Sequence, residues 1–162
     1  MKGRRFTFVL AVLILLVFAL ASPGALREAL ERGQIYVFTS RFLTDIPKRL
    51  TGPGRFRFIL QPALASLLGG RDGVADARAG RSPYLFALAF GTGTRGELVK
   101  SGLSVIANLL LMGILLDSAF QWVILGAVYP GAALVVGPVL IAGPYVMARA
   151  LANRAGRALG RD

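Results

Sequence analysis

From Gly102 to Ala148 the chain runs 47 residues with a single formal charge, Asp117. As one helix at 1.5 Å per residue it would measure about 70 Å, more than twice the roughly 30 Å hydrocarbon core of a bilayer. Such a stretch folds back on itself. The place to turn is Leu125-Gly126-Ala127-Val128-Tyr129-Pro130-Gly131, because Gly and Pro disfavour a helix interior. Two spans are expected near 103–125 and 128–148, giving a transmembrane helical hairpin over residues 102–148. In lipid every backbone N–H and C=O must be bonded internally, which leaves helices for so few residues. Trp122 and Tyr129 near the turn, and Tyr145 and Arg149 at the other end, are expected at headgroup level.

A second apolar run, Phe6 to Ala21, is 16 residues, short for a span. Lys2, Arg4 and Arg5 precede it, and Ala19-Leu20-Ala21 followed by Ser22 fits small-x-small cleavage. Residues 1–21 are therefore read as an N-terminal transmembrane anchor, with a signal peptide as the alternative. The anchor is favoured because Ser22-Pro23 makes an N-cap and N1 pair for a helix Pro23 to Arg32. Gly33 would close that helix, and Arg27/Glu31 and Glu28/Arg32 sit at i,i+4.

Residues 22–101 carry 12 basic and 6 acidic residues. Ile35, Phe38, Phe42, Ile46 and Leu50 recur at helical spacing beside Arg41, Lys48 and Arg49, the pattern of an amphipathic helix lying in the bilayer interface. Phe56 to Gly70 is apolar after Arg57 but interrupted by Gln61-Pro62, so residues 58–70 are the candidate for a short additional span. Beyond them Asp72 is expected to cap a short helix ending near Gly80, and Ser82-Pro83 to start another over Tyr84 to Phe90. The loop from Gly91 to Gly96 lacks the Gly-Lys-Ser/Thr ending of a phosphate-binding loop. The fold class expected is an all-α integral membrane protein: an N-terminal anchor (or signal) helix, an amphipathic, interfacial helical middle region, the C-terminal hairpin, and a basic amphipathic tail over 149–162. Three spans are expected, with four as the alternative.

Charge bears on that alternative. The chain is 55% hydrophobic with mean hydropathy +0.63, yet holds 19 Lys+Arg against 8 Asp+Glu, a net charge of +11. Eighteen of the 19 basic residues flank or lie between the three clear apolar runs, and the nineteenth, Arg57, opens 58–70. With three spans the basic termini lie on opposite faces, which frustrates the positive-inside rule. If 58–70 crosses, twelve basic residues lie inside and seven outside. Cations dispersed between apolar segments argue against nucleic-acid binding. With no Cys and no His, the chain has no disulfide, thiolate metal site or histidine chemistry.

Asp117 is the most costly residue, at about 2.5–3.5 kcal/mol for a carboxylate at a span centre. Gly113, Asp117 and Gln121 share one helical stripe, so Gln121 is expected to bond the carboxyl. Asn108 lies on roughly the opposite side and is read as an interhelical hydrogen-bond donor. In the tail, Arg154, Arg157 and Arg161 share a face and, with Arg149, form an expected contact for anionic phospholipid headgroups. Arg71, Asp72, Asp76, Arg78 and Arg81 are read as a capped, salt-bridged polar turn. The run Asp72-Gly73-Val74-Ala75-Asp76-Ala77-Arg78 is similar in part to the Asp-x-x-Asp-Gly-x-x-Ala-Arg signature of CDP-alcohol phosphotransferases. It departs from it decisively: Gly69 stands where the first Asp belongs, Ala77-Arg78 comes one residue late, and no acid follows until Glu97. Two metal ions would lack half their ligands.

No catalytic residue, metal or cofactor is therefore expected. The expected function is that of a non-enzymatic, membrane-embedded accessory or interaction subunit, partnered by the membrane, its anionic headgroups, another membrane protein or itself. The alternative is a small transporter or channel component using Asp117 with Gln121. The expected location is the cell membrane, multi-pass; the lack of eukaryotic processing signals is compatible with a bacterial inner membrane.

Overall fold

The protein's structure, a computed structural model, describes residues 2–91 and 95–160. Among the described residues it is all-helical: α1 (Lys2–Arg32), a 3-10 turn (Tyr36–Phe38), α2 (Ser40–Thr51), α3 (Arg57–Arg78), α4 (Tyr84–Phe90), α5 (Arg95–Leu125) and α6 (Pro130–Leu159). Among the described residues three stretches are long and apolar enough to cross a membrane: Arg5–Arg32, Arg95–Leu125 and Pro130–Leu159. The loop expected over 91–96 falls mostly on residues 92–94, outside the described residues.

The expected helix start at Ser22-Pro23 is corrected, since α1 runs through it. Pro23 removes the N–H that would bond the Ala19 carbonyl, and Ser22 Oγ donates back to the Phe18 carbonyl instead of capping. Gly33, at φ +66°, then ends α1. The expected helix over 35–50 is divided, because Thr39 caps α2 by accepting from the Phe42 N–H at 3.3 Å and leaves Tyr36–Phe38 as a separate turn. The hairpin turn lies where Gly and Pro put it. Gly126, at φ +68°, donates to the Trp122 carbonyl, the Gln121 side-chain oxygen accepts from the Tyr129 N–H at 2.8 Å, and Pro130 opens α6.

The chain divides into two compact units, Met1–Ile59 with Leu110–Val139, and Leu60–Leu109 with Leu140–Asp162. In the first, Ile14, Ile114 and Ala133 form one apolar cluster and Tyr36, Tyr129 and Ala132 another, the two tyrosine rings stacked with centroids 3.9 Å apart. A Cβ added at Gly137 would lie 2.9 Å from the Ile114 nitrogen, so α5 and α6 meet there backbone to backbone.

In the second unit α3 packs on α6, and this corrects the reading of residues 58–80 as two pieces. Gly69, Gly73 and Ala77 fall at i, i+4, i+8 of one helix. A Cβ at Gly69 would meet the Tyr145 carbonyl oxygen at 2.2 Å, and one at Gly73 the Arg149 carbonyl oxygen at 2.2 Å; one at Gly156 would meet the Ala77 Cβ at 2.9 Å. These glycines admit the backbone of α6 rather than break α3, and the rising register makes the two helices parallel. The polar run from Arg71 to Arg81 is thus mostly the last turns of α3, with Asp72 inside the helix rather than at its cap.

Candidate functional site

Three polar clusters lie among the described residues of this apolar chain. In the first unit, Asp117 of α5 is 2% exposed, and its carboxylate accepts from Gln121 Nε2 at 2.6 Å, one helical turn away as its spacing predicted. Arg49 of α2 places Nη1 3.2 Å from both carboxylate oxygens. Arg57, at the start of α3, brings Nη2 to 2.9 Å of Oδ1, an ion pair not aligned as a hydrogen bond, and donates through Nη1 to the Leu116 carbonyl at 3.3 Å. Both guanidiniums are buried, and they lie over aromatic faces: Arg49 over Phe42, Arg57 over Phe58 and Phe120. Two cations thus share one anion, and Arg49 Nε and Nη2 and Arg57 Nε have no hydrogen-bond acceptor.

Neither arginine was foreseen beside Asp117. The available signal was Arg57 itself, the basic residue that opens an apolar run, together with the rule that a charge in an apolar interior needs a counter-charge. As built, the carboxylate accepts from Arg49 and Gln121 and is ion-paired with Arg57.

The second cluster belongs to the same unit. Glu28 of α1 accepts from the Tyr129 hydroxyl at 2.7 Å, pairs with Arg32 at 3.2 Å, and accepts from Arg41. Asp45, 2% exposed, accepts from the Tyr36 hydroxyl at 2.9 Å and from Lys48 at 2.8 Å. Burial drives the Asp45 carboxyl upward, but the Lys48 and Tyr36 hydrogen bonds outweigh it and the net displacement is downward. The Tyr36 hydroxyl is pushed up to about 12, first by burial and then by its bond to Asp45, against the pull of Arg49. Here α2 buries Asp45 and Arg49 while Leu43 and Leu50 face outward.

The third cluster, in the second unit, corrects two expectations together. Asp76, expected in a capped polar turn, accepts from Arg149 Nε at 2.7 Å and from Arg81 Nη1 at 3.0 Å; Asp72 accepts from the Tyr145 hydroxyl at 2.8 Å. Arg149, expected on lipid headgroups, is 4% exposed; it also donates to Tyr145 at 3.0 Å and lies 4.2 Å over the Tyr84 ring. Tyr145 is buried with it, and Tyr129 of the first unit is buried too. Asn153 donates to the Arg81 carbonyl at 3.2 Å. Arg71 and Arg78 are exposed, Arg71 pairing with Asp72 at 3.4 Å. The expected tail face is reduced to Arg154 and Arg157, both exposed, Arg157 reaching the Gly80 carbonyl at 3.4 Å; Arg161 lies outside the described residues. Asn108 is partly buried on α5. With both carboxylates engaged, Asp72 and Asp76 hold α3 to α6.

No protein-family model matches this sequence, and neither the curated proteins nor the solved structures give a match.

Proposed function

We propose that this chain is a multi-pass helical membrane protein with no catalytic activity of its own, acting as a membrane-embedded accessory or interaction subunit. The observation that carries the reading is an inverted distribution of polarity. The largest fully buried side chains include Arg49, Arg57, Gln121, Asn153 and Asp117, while Leu20 is 82% exposed, Phe38 84% and Phe8 69%. A water-facing protein does not keep a leucine-rich exterior around an ionic interior, whereas lipid asks for that arrangement. The interior charges are occupied with one another, and α1 leaves most of its apolar surface for something outside the chain.

Transport through Asp117 and Gln121 is the weaker reading, because a proton-handling carboxylate must change partners and this one is held by two arginines and an amide. Two measurements test the proposal. Alkaline carbonate should leave the protein in the membrane pellet; release into the supernatant would reject bilayer insertion. A photoreactive amino acid at Phe8 or Leu15, crosslinked in native membranes, should then trap a discrete protein, another chain or a second copy. Lipid adducts alone would reject the accessory role.

A further inference from the structure

In the first unit an open groove of about 830 Å³ runs along α1 from Val17 to Glu28, walled opposite by Leu115, Ala119 and Trp122 of α5. Apart from Ser118, whose hydroxyl donates to the Ile114 carbonyl, its lining is apolar until Glu28. There a second hollow, about 170 Å³, begins, lined by Arg32, Gln34, Thr39, Ser40 and Arg41. Ala25, Glu28 and Tyr129 line both, so the two meet end to end. Eleven helical steps from Val17 to Glu28 measure about 16 Å, close to the roughly 15 Å depth of one leaflet's hydrocarbon.

The polar end carries an excess of positive charge. Arg32, Arg41 and Lys48 face Glu28 and Asp45, leaving one cation uncompensated, and the amino terminus of α2 at Thr39 and Ser40 opens on the same hollow. Arg32 and Arg41 keep 61% and 39% of their side-chain surface exposed, so both guanidiniums can reach a further anion. An apolar trough one leaflet deep that ends in two arginines and the Ser40 hydroxyl matches an amphiphile with an anionic head. A partner helix would bring apolar side chains, not an anion, to Arg32 and Arg41.

We propose that this site binds one anionic glycerophospholipid, an acyl chain along α1 between Val17 and Glu28 and the phosphate at Arg32, Arg41 and the start of α2. The proposal rests on the reading that α1 and α5 lie in a bilayer, and goes beyond it by naming a bound lipid.

The test uses the full chain reconstituted in nanodiscs of phosphatidylcholine doped with phosphatidylglycerol, then released for native mass spectrometry. The parent should retain one phosphatidylglycerol, preferred about tenfold over phosphatidylcholine as expected for basic residues at a charged headgroup. Arg32→Gln with Arg41→Gln should erase the preference. Gly24→Leu should lower retention of both lipids, because a Cβ there meets nothing within 4 Å and the new side chain enters the groove without displacing protein. Equal retention of the two lipids by the parent, or unchanged retention in a folded Gly24→Leu variant, would overturn the site, as would a protein rather than a lipid at the groove. If carbonate releases the chain, the bilayer reading has failed; if it stays in the membrane without lipid preference, only the lipid site has failed.

Discussion

Asp117 shows how one residue's chemistry constrains its surroundings. Removing one member of a buried ionic group leaves the others uncompensated, which typically costs about 3–5 kcal/mol. Asp117→Asn should therefore destabilise the detergent-solubilised protein by about that much, read from thermal or denaturant unfolding. Replacing the trio together, with Asp117→Leu, Arg49→Met and Arg57→Met, should be neutral or stabilising by about 1–4 kcal/mol, because the desolvation penalty disappears along with the attraction. Asp45 gives a pH dependence of defined sign. Its carboxyl is held below its ordinary value of 3.8 in the folded chain, so its contribution is fully present above that value and is lost as pH falls through the lowered one. The stability advantage of the parent over Asp45→Asn should shrink on acidification; an advantage that grows in acid would contradict the Lys48 and Tyr36 bonds.

Among the elements, α3 departs most from what its sequence suggests. Two consecutive glycines followed by a polar run read as punctuation, yet the helix passes through them, because Gly69 and Gly73 face the backbone of α6. Neighbouring glycines should therefore respond oppositely to alanine. Gly69→Ala puts a methyl 2.2 Å from the Tyr145 carbonyl oxygen and should destabilise by about 1–3 kcal/mol despite alanine's better helix propensity. Gly70→Ala meets nothing within 4 Å and should stabilise by about 0.5–1 kcal/mol. Unfolding midpoints of the two variants check both signs. The hairpin helices, by contrast, were legible: uninterrupted apolar length demanded a turn, and the Gly and Pro residues located it.

For the whole molecule, sidedness depends on whether the segment between the first and second apolar helices crosses the bilayer. Glu28, near the end of α1, bonds Tyr129 in the hairpin turn, and Gly80, just past α3, is bonded by Arg157 near the end of α6. The segment on which sidedness turns is α3, which at 22 residues or about 33 Å is long enough to cross a bilayer. Its Arg57 and Asp76 are neutralised by Asp117 and Arg149, which hydropathy counts as full charges. A crossing by α3 would give the charge distribution that the positive-inside rule favours. Because the chain has no cysteine, single cysteines report it cleanly. An impermeant maleimide should label Ser82→Cys and Ala158→Cys from one face and Arg55→Cys from the other. Labelling of Ser82→Cys and Arg55→Cys from the same face would exclude α3 as a span.

What the sequence by itself determined were the properties that depend on near neighbours: the helical class, the place of the hairpin turn, and the bond from Gln121 to Asp117 one turn away. Tertiary structure alone decided which charges meet. Arg49 lies 68 positions from its carboxylate partner and Asp76 lies 73 from Arg149, and periodicity within a helix carries no information across such distances. A basic residue beside an apolar run has the same composition whether it greets a headgroup or a buried acid. The difference is made when another helix arrives against it, with small residues at the contact and a carboxylate at the matching height.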